Sequence, residues 1–201
     1  MPVPRIAEGR PAAEPSSSEQ KERHQRILRA ASRLGAEHGL EHVQMHDVAK
    51  SAGVAIATLY RYFPSKTHLF TSVMRYQVER FSTSGALPVG LPPAEAVESL
   101  LVGMTHEMAR RPKLSLAMIQ SNNQAQSAAT PESAANDAIF QQVVLETAGL
   151  SDPTEEDDRR VRLIVHCWYG VLISVLNGRL GMAEAEGDIK MAARLLLAER
   201  P

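Results

Sequence analysis

Residues 53–66 read GVAIATLYRYFPSK, and the fold turns on how this stretch is understood. It sets two tyrosines, an arginine and a lysine close behind a glycine, with little apolar bulk between them. A core helix would carry more leucine and fewer polar tips, and a loop would not carry ATLYRYF. Just before it, MHDVAKSA (45–52) puts Val48, Ala49 and Ala52 on one small apolar side. Two short helices joined by a glycine turn, behind a longer supporting helix, make a helix-turn-helix. Small residues let the helices cross closely, and Gly53 can take the positive φ that the turn requires. Leu59 and Phe63, four residues apart, point into the core and turn Ile56, Tyr60 and part of Arg61 outward.

In such a unit the second helix enters the major groove of DNA with its first residues at the base edges. Ala55, Ile56, Ala57 and Thr58 are small or apolar and suit a close fit against thymine methyl groups. Tyr60, Tyr62 and Lys66 reach further and suit phosphates, and Arg61 is a further candidate DNA contact. Lys66 also opens the next helix, whose free N–H groups favour an anion. His46, near the start of the 45–52 helix, is a further candidate phosphate contact.

The surrounding sequence agrees. A supporting helix is expected from Glu19 to His38, where Ile27, Ala30, Ala31 and Leu34 recur at helical spacing among Lys21, Arg23, Arg26, Arg29 and Arg33. Gly39 should stop it. Ser65 is a good N-cap for a helix over 66–81. Residues 1–18, rich in Pro, Ser, Ala and Glu, are expected to be disordered and contain no apolar run that would serve as a signal peptide or anchor. STSGALPVGLPP (82–93) has the composition of a linker. Beyond it, helices are expected near 94–110, 113–124, 131–149, 154–179 and 187–199. Thr130 and Pro131 look like an N-cap followed by a first-turn proline, and Thr154 with Asp157 like a capping box. The expected fold is all-α, with a helix-turn-helix domain over 19–80 and a larger helical domain over 81–201.

Bulk properties fit this division. Hydrophobic residues make up 44% of the 201 but aromatics only 4%, so alanine, leucine, valine and methionine must build a helical core. The single cysteine, Cys167, excludes an internal disulfide framework and suits a reducing cytoplasm. The longest nearly apolar run, LIVHCWYGVLISVL (163–176), is too short to span a bilayer, so no membrane partner is expected. Net charge is −1, unevenly spread. Residues 19–80 hold ten Lys/Arg against six Asp/Glu, and residues 81–201 ten against fifteen. A basic amino-terminal third suits an anionic partner, although chance alone can produce such a fluctuation.

VQMHDVAKSAGVAIATLYRYFPSKTHLF (43–70) strongly resembles the DNA-binding signature of TetR-type repressors. Two departures stand out. Gln44 stands where these repressors usually have threonine, and Ala55 where they usually have a capping serine, so both bear on how phosphates are held. The resemblance implies a homodimer whose all-α carboxy-terminal domain binds a small molecule and releases a double-stranded DNA operator. A looser likeness, to KstR-type repressors of cholesterol catabolism, rests on TLYRYFPSK.HL, on EMARRPKLSLAM (107–118), and on the tryptophan and apolar run before ARLLL. It implies an apolar inducer of the steroid or fatty acyl-CoA thioester type.

For that inducer, Met104, Met108, Met118, Phe140, Val144, Trp168, Val171, Leu172 and Val175 are candidate cavity residues, though each is also good core material. Asn122 is a candidate polar contact, and Arg110, Arg111 and Lys113 are candidate cations for ligand phosphates. The apolar 161–176 helix and IKMAARLLLA (189–198) are candidates for an isologous dimer interface. His38, His42 and His46 stand four apart, but Gly39 interrupts the helix, so no metal site is expected. His166 and Cys167 are helix neighbours about 100° apart and form no nucleophile–base pair, and a cysteine in such a run is expected to be buried packing. DPTEEDDRR (152–160) is an acidic helix start rather than a metal site. No enzyme and no cofactor are expected. The alternative reading is a constitutive DNA-binding protein whose second domain serves only dimerisation or a protein partner.

Overall fold

The computed structural model describes residues 12–83 and 90–197, all helical or connecting, with no strand among them. Its helices are α1 (Ser18–His42), α2 (Met45–Ala52), α3 (Ile56–Tyr62), α4 (Lys66–Thr83), α5 (Pro93–Ala109), α6 (Pro112–Ser127), α7 (Pro131–Thr147), α8 (Glu155–Leu176) and α9 (Met182–Leu197). No described helix is long and apolar enough to cross a membrane.

Local chemistry sets the helix ends. The Ser17 hydroxyl accepts the Gln20 N–H at the start of α1, and the Ser65 hydroxyl accepts the His68 N–H at the start of α4. Thr154 and Asp157 form the full reciprocal capping box at the start of α8. Gly39, at φ 75° and ψ 168°, breaks α1 into a long segment and a final turn, so the expected stop is a kink. Gly53, at φ 66°, makes the left-handed turn between α2 and α3. The last helix starts earlier than expected. Gly187 lies inside α9, and Glu184 accepts the Gly181 N–H at its first turn.

Two buried clusters organise the packing. The first joins α1, α2, α3 and the first half of α4, and takes in Leu114, Ala117 and Met118 of α6. The second joins α5, α7, α8 and α9 with Ile119 of α6. Helix α6 therefore belongs to both. Helix α4 does the same, giving Leu69, Phe70 and Val73 to the first cluster while Val78 and Phe81 pack on the second. The boundary read at residues 80 and 81 lies in the last turns of this shared helix. The tail reading also divides. Residues 1–11 lie outside the described residues, whereas Ala13 donates its N–H to the Arg61 carbonyl at 3.0 Å and packs on the first cluster. Of the linker, residues 84–89 lie outside the described residues.

Candidate functional site

The face that would meet DNA is built by the α2–α3 turn. Val48, Ala49, Ala52, Leu59 and Phe63 are buried and lock α3 across α2. That leaves Ala55, Ile56, Ala57 and Arg61 exposed, and Thr58 and Tyr60 half-buried, along one side of α3. Gln44 and His46 are exposed at the start of α2, with His46 Nδ1 3.9 Å from Asp47. Neither Gln44 nor Ala55 makes a side-chain cap at its helix start, so the first N–H groups of α2 and α3 stay available to a phosphate.

Two expected phosphate contacts are placed differently. Tyr62 is 2% exposed and belongs to the core, where His24 meets its ring edge-on at 5.6 Å. The reason is helical geometry: Leu59, Tyr62 and Phe63 share one face of α3. Lys66 turns back instead of outward. Its Nζ donates to the carbonyls of Leu40 at 2.8 Å and Val43 at 3.2 Å, holding the end of α1 beside the start of α4. Those carbonyls follow the Gly39 break and lack helical partners, which makes them good acceptors for an ammonium.

The second feature is a cavity of about 390 Å³ lined by α4, α5, α6, α7 and α8. Six of the ten candidate residues line it: Met104, Met108, Met118, Asn122, Phe140 and Trp168. The other four do not. Val144 and Leu172 are fully buried in the second cluster, Val171 packs against that cluster, and Val175 is half-buried away from the lining. Helix α8 lines the cavity from Arg162 to Tyr169, so its candidates beyond Tyr169 lie past it. Phe140 stacks on Trp168 at 5.0 Å, and the Trp168 Nε1–H donates to Thr105 Oγ1 at 2.9 Å.

The candidate cations also find partners within the chain. Arg111 lines the cavity but pairs with Glu107 at 2.5 Å, Arg110 lies 3.5 Å from the same carboxylate, and Lys113 donates to the Glu37 carbonyl at 3.1 Å. Sequence reasoning missed the contribution of α4, which was read wholly as part of the DNA-binding unit. Met74, Arg75, Val78 and Phe81 of α4 all line the cavity. Arg75 donates its Nε–H to Asn136 Oδ1 at 3.1 Å, and Asn136 Nδ2 donates to the Thr71 carbonyl and to Asn122 Oδ1. The signal was available in the helical spacing of Met74, Val78 and Phe81, which continues the apolar face of α4 beyond the first cluster. Cys167 is exposed on α8, against the expectation that it packs inside, because the buried side of α8 is set by Val161, Ile164, Trp168 and Leu172.

Comparison with known proteins gives this geometry a context. Residues 27–73 match the family of bacterial regulatory proteins of the tetR type, and residues 90–196 match a tetracyclin repressor-like C-terminal domain. The HTH-type transcriptional repressor KstR of Rhodococcus jostii is 35% identical over 188 residues, covering 92% of this chain and 87% of the relative. Its namesake from Mycobacterium tuberculosis is 30% identical, covering 94% of this chain and 86% of that protein. A solved TetR transcriptional regulator from Rhodococcus sp. RHA1 superposes with a TM-score of 0.82 at 51% identity, over 90% of this chain and 98% of that one. With its helix-turn-helix at one end and an α6-linked helical cavity at the other, this chain belongs to the TetR family of transcriptional regulators.

Proposed function

We propose that the protein is a ligand-responsive transcriptional repressor that binds a near-palindromic operator as a homodimer and is released by an apolar inducer. One observation carries this reading: the exposed, small-residue front of α3 and the 390 Å³ cavity share two helices, α4 and α6. Likeness to repressors named KstR supports repression as the direction of control, and the inducer is taken to be of the steroid or acyl-CoA thioester type that the sequence resemblance implies. Ala55, Ile56, Ala57 and Thr58 take the base edges. Gln44, His46, Tyr60 and Arg61 take phosphates. Two copies of α3 enter successive major grooves. A ligand in the cavity opposes DNA only to the extent that it binds the released arrangement more tightly than the DNA-bound one.

The test is fluorescence anisotropy on DNA from just upstream of the protein's own gene, at fixed salt. Wild type should bind it, and a steroid CoA thioester should release it while free CoA does not. Ala57→Glu sets a carboxylate against the phosphates and base edges, and should weaken binding roughly a hundredfold or more with the helix content unchanged. An Ala57→Glu protein that still protects the operator would show that another face of α3 meets the groove.

A further inference from the structure

Some donors that line the cavity have no acceptor among the described residues. Arg75 is half-buried and spends only its Nε–H, on Asn136; its two terminal Nη groups have no acceptor among the described residues. Asn136, 6% exposed, is itself fixed by the Thr71 carbonyl and Asn122, so the guanidinium is held in place. Asn122, 4% exposed, receives a hydrogen bond at Oδ1 and presents an Nδ2 amide that finds no acceptor among the described residues. The carboxylates that line the cavity have other partners: Glu107 pairs with Arg110 and Arg111, and Asp137 accepts from the Gln126 amide. A guanidinium in a mostly apolar cavity without an anionic partner is costly. A fixed fork of donors is complementary to two oxygens of one anion.

From this arrangement we infer that the cavity takes an amphipathic ligand whose oxyanion binds Arg75 and Asn122, while its hydrocarbon part lies against Phe140 and Trp168. The inference rests on the proposed ligand-responsive reading and adds the position and charge of the ligand's polar end. Arg75 would be the residue that selects an oxyanion over a neutral polar group. Arg162, the other lining arginine with no acceptor among the described residues, is exposed and keeps its hydration, so the selectivity falls to the half-buried Arg75. An oxyanion of this kind comes either from a free carboxylate or from the phosphates of a thioester.

The chain's single tryptophan, Trp168, lines the cavity and reports binding by its fluorescence. The full-length protein is titrated with dodecanoate, methyl dodecanoate and dodecanoyl-CoA. Dodecanoate should bind roughly tenfold or more tightly than its uncharged ester, and Arg75→Met should bring acid and ester within about twofold while ester binding is retained. A preference for dodecanoyl-CoA alone over the ester, abolished in Arg75→Met, would assign the oxyanion to phosphate instead of carboxylate. Asn122→Ala should reduce the same preference partially, and it guards against misfolding of the arginine variant. Equal binding of acid, ester and thioester, a preference that survives Arg75→Met, or no binding of any of the three overturns the inference. Operator binding by the same samples keeps the two readings apart. Intact DNA binding with no oxyanion preference removes only this inference, whereas absent DNA binding removes the repressor reading.

Discussion

His24 shows how much one side chain on the supporting helix depends on its surroundings. It lies between the DNA-binding unit and α4, with its ring 4.7 Å from Phe63 and 5.6 Å from Tyr62. Burial, and then the charges of His68 and Arg75, hold its pKa below the ordinary 6.5. A folded-state pKa below the unfolded value means that the unfolded chain binds the proton more readily. The contribution to stability is therefore complete above pH 6.5 and is lost as pH falls through the lower folded value. Melting temperature should drop from about pH 7.5 to about pH 5.5 more steeply for wild type than for His24→Phe, which keeps a ring against Phe63 but cannot titrate. Equal slopes for the two proteins would place the acid sensitivity elsewhere. At this scale the sequence was partly legible. The polar tips in YRYFPSK were evident, but which of them face inward was not. Tyr62 follows Leu59 by three residues and so shares its buried side. Lys66 is drawn inward by carbonyls freed at Gly39, a tertiary partnership that no local pattern announces.

At the scale of elements, the junction of α1, α4 and α6 connects the two ends of the molecule, and its closeness depends on Gly35. A Cβ placed there would lie 2.7 Å from Phe70 Cε1 and 3.0 Å from Leu114 Cδ1, both side chains fully or nearly buried. Gly35→Ala should gain about 1 kcal/mol in helix propensity yet lose more to overpacking, which typically costs 1–3 kcal/mol. The net effect is a destabilisation of about 1 kcal/mol, seen as a lower urea midpoint at constant slope. Gly103 on α5 makes the opposite case. Its added Cβ would meet only Phe81 at an ordinary 3.7 Å, so Gly103→Ala should stabilise by about 0.5 to 1 kcal/mol and raise the midpoint. If both changes moved the midpoint the same way, the tight α1–α4–α6 packing would be wrong. The helices themselves were largely legible because caps, prolines and periodicity agree at Ser65, Pro131 and Thr154. The sharing of α4 and α6 between two cores was not. It arises from which faces meet in three dimensions, and a composition-based boundary near residue 81 cannot express it.

For the whole molecule, the remaining question is what covers the outer side of α8 and α9. Val161, Ile164, Trp168 and Leu172 turn α8 inward, which leaves Leu163, Cys167 and Gly170 on the opposite side. On α9, Ala185, Ile189 and Ala193 face inward, while Met191 and Leu195 are 62% and 78% exposed. Leu163, at 48%, is an exposed apolar residue on α8, which packs against α9. Isolated exposed apolar residues are common, but three large ones on two packed helices suit a self-complementary contact with a second copy, each subunit giving both helices. A dimer also meets the need of the proposed operator, since two recognition helices must be held at the spacing of successive major grooves. Wild type should therefore sediment as a dimer at micromolar concentration. The double substitution Met191→Glu and Leu195→Glu sets like charges against each other across the contact and should give a folded monomer. That monomer should bind the full operator more weakly than wild type by tenfold or more, because each half-site must then be won independently. A wild-type monomer, or a charged variant that remains dimeric, would mean that α8 and α9 are covered by something other than a second copy of this chain.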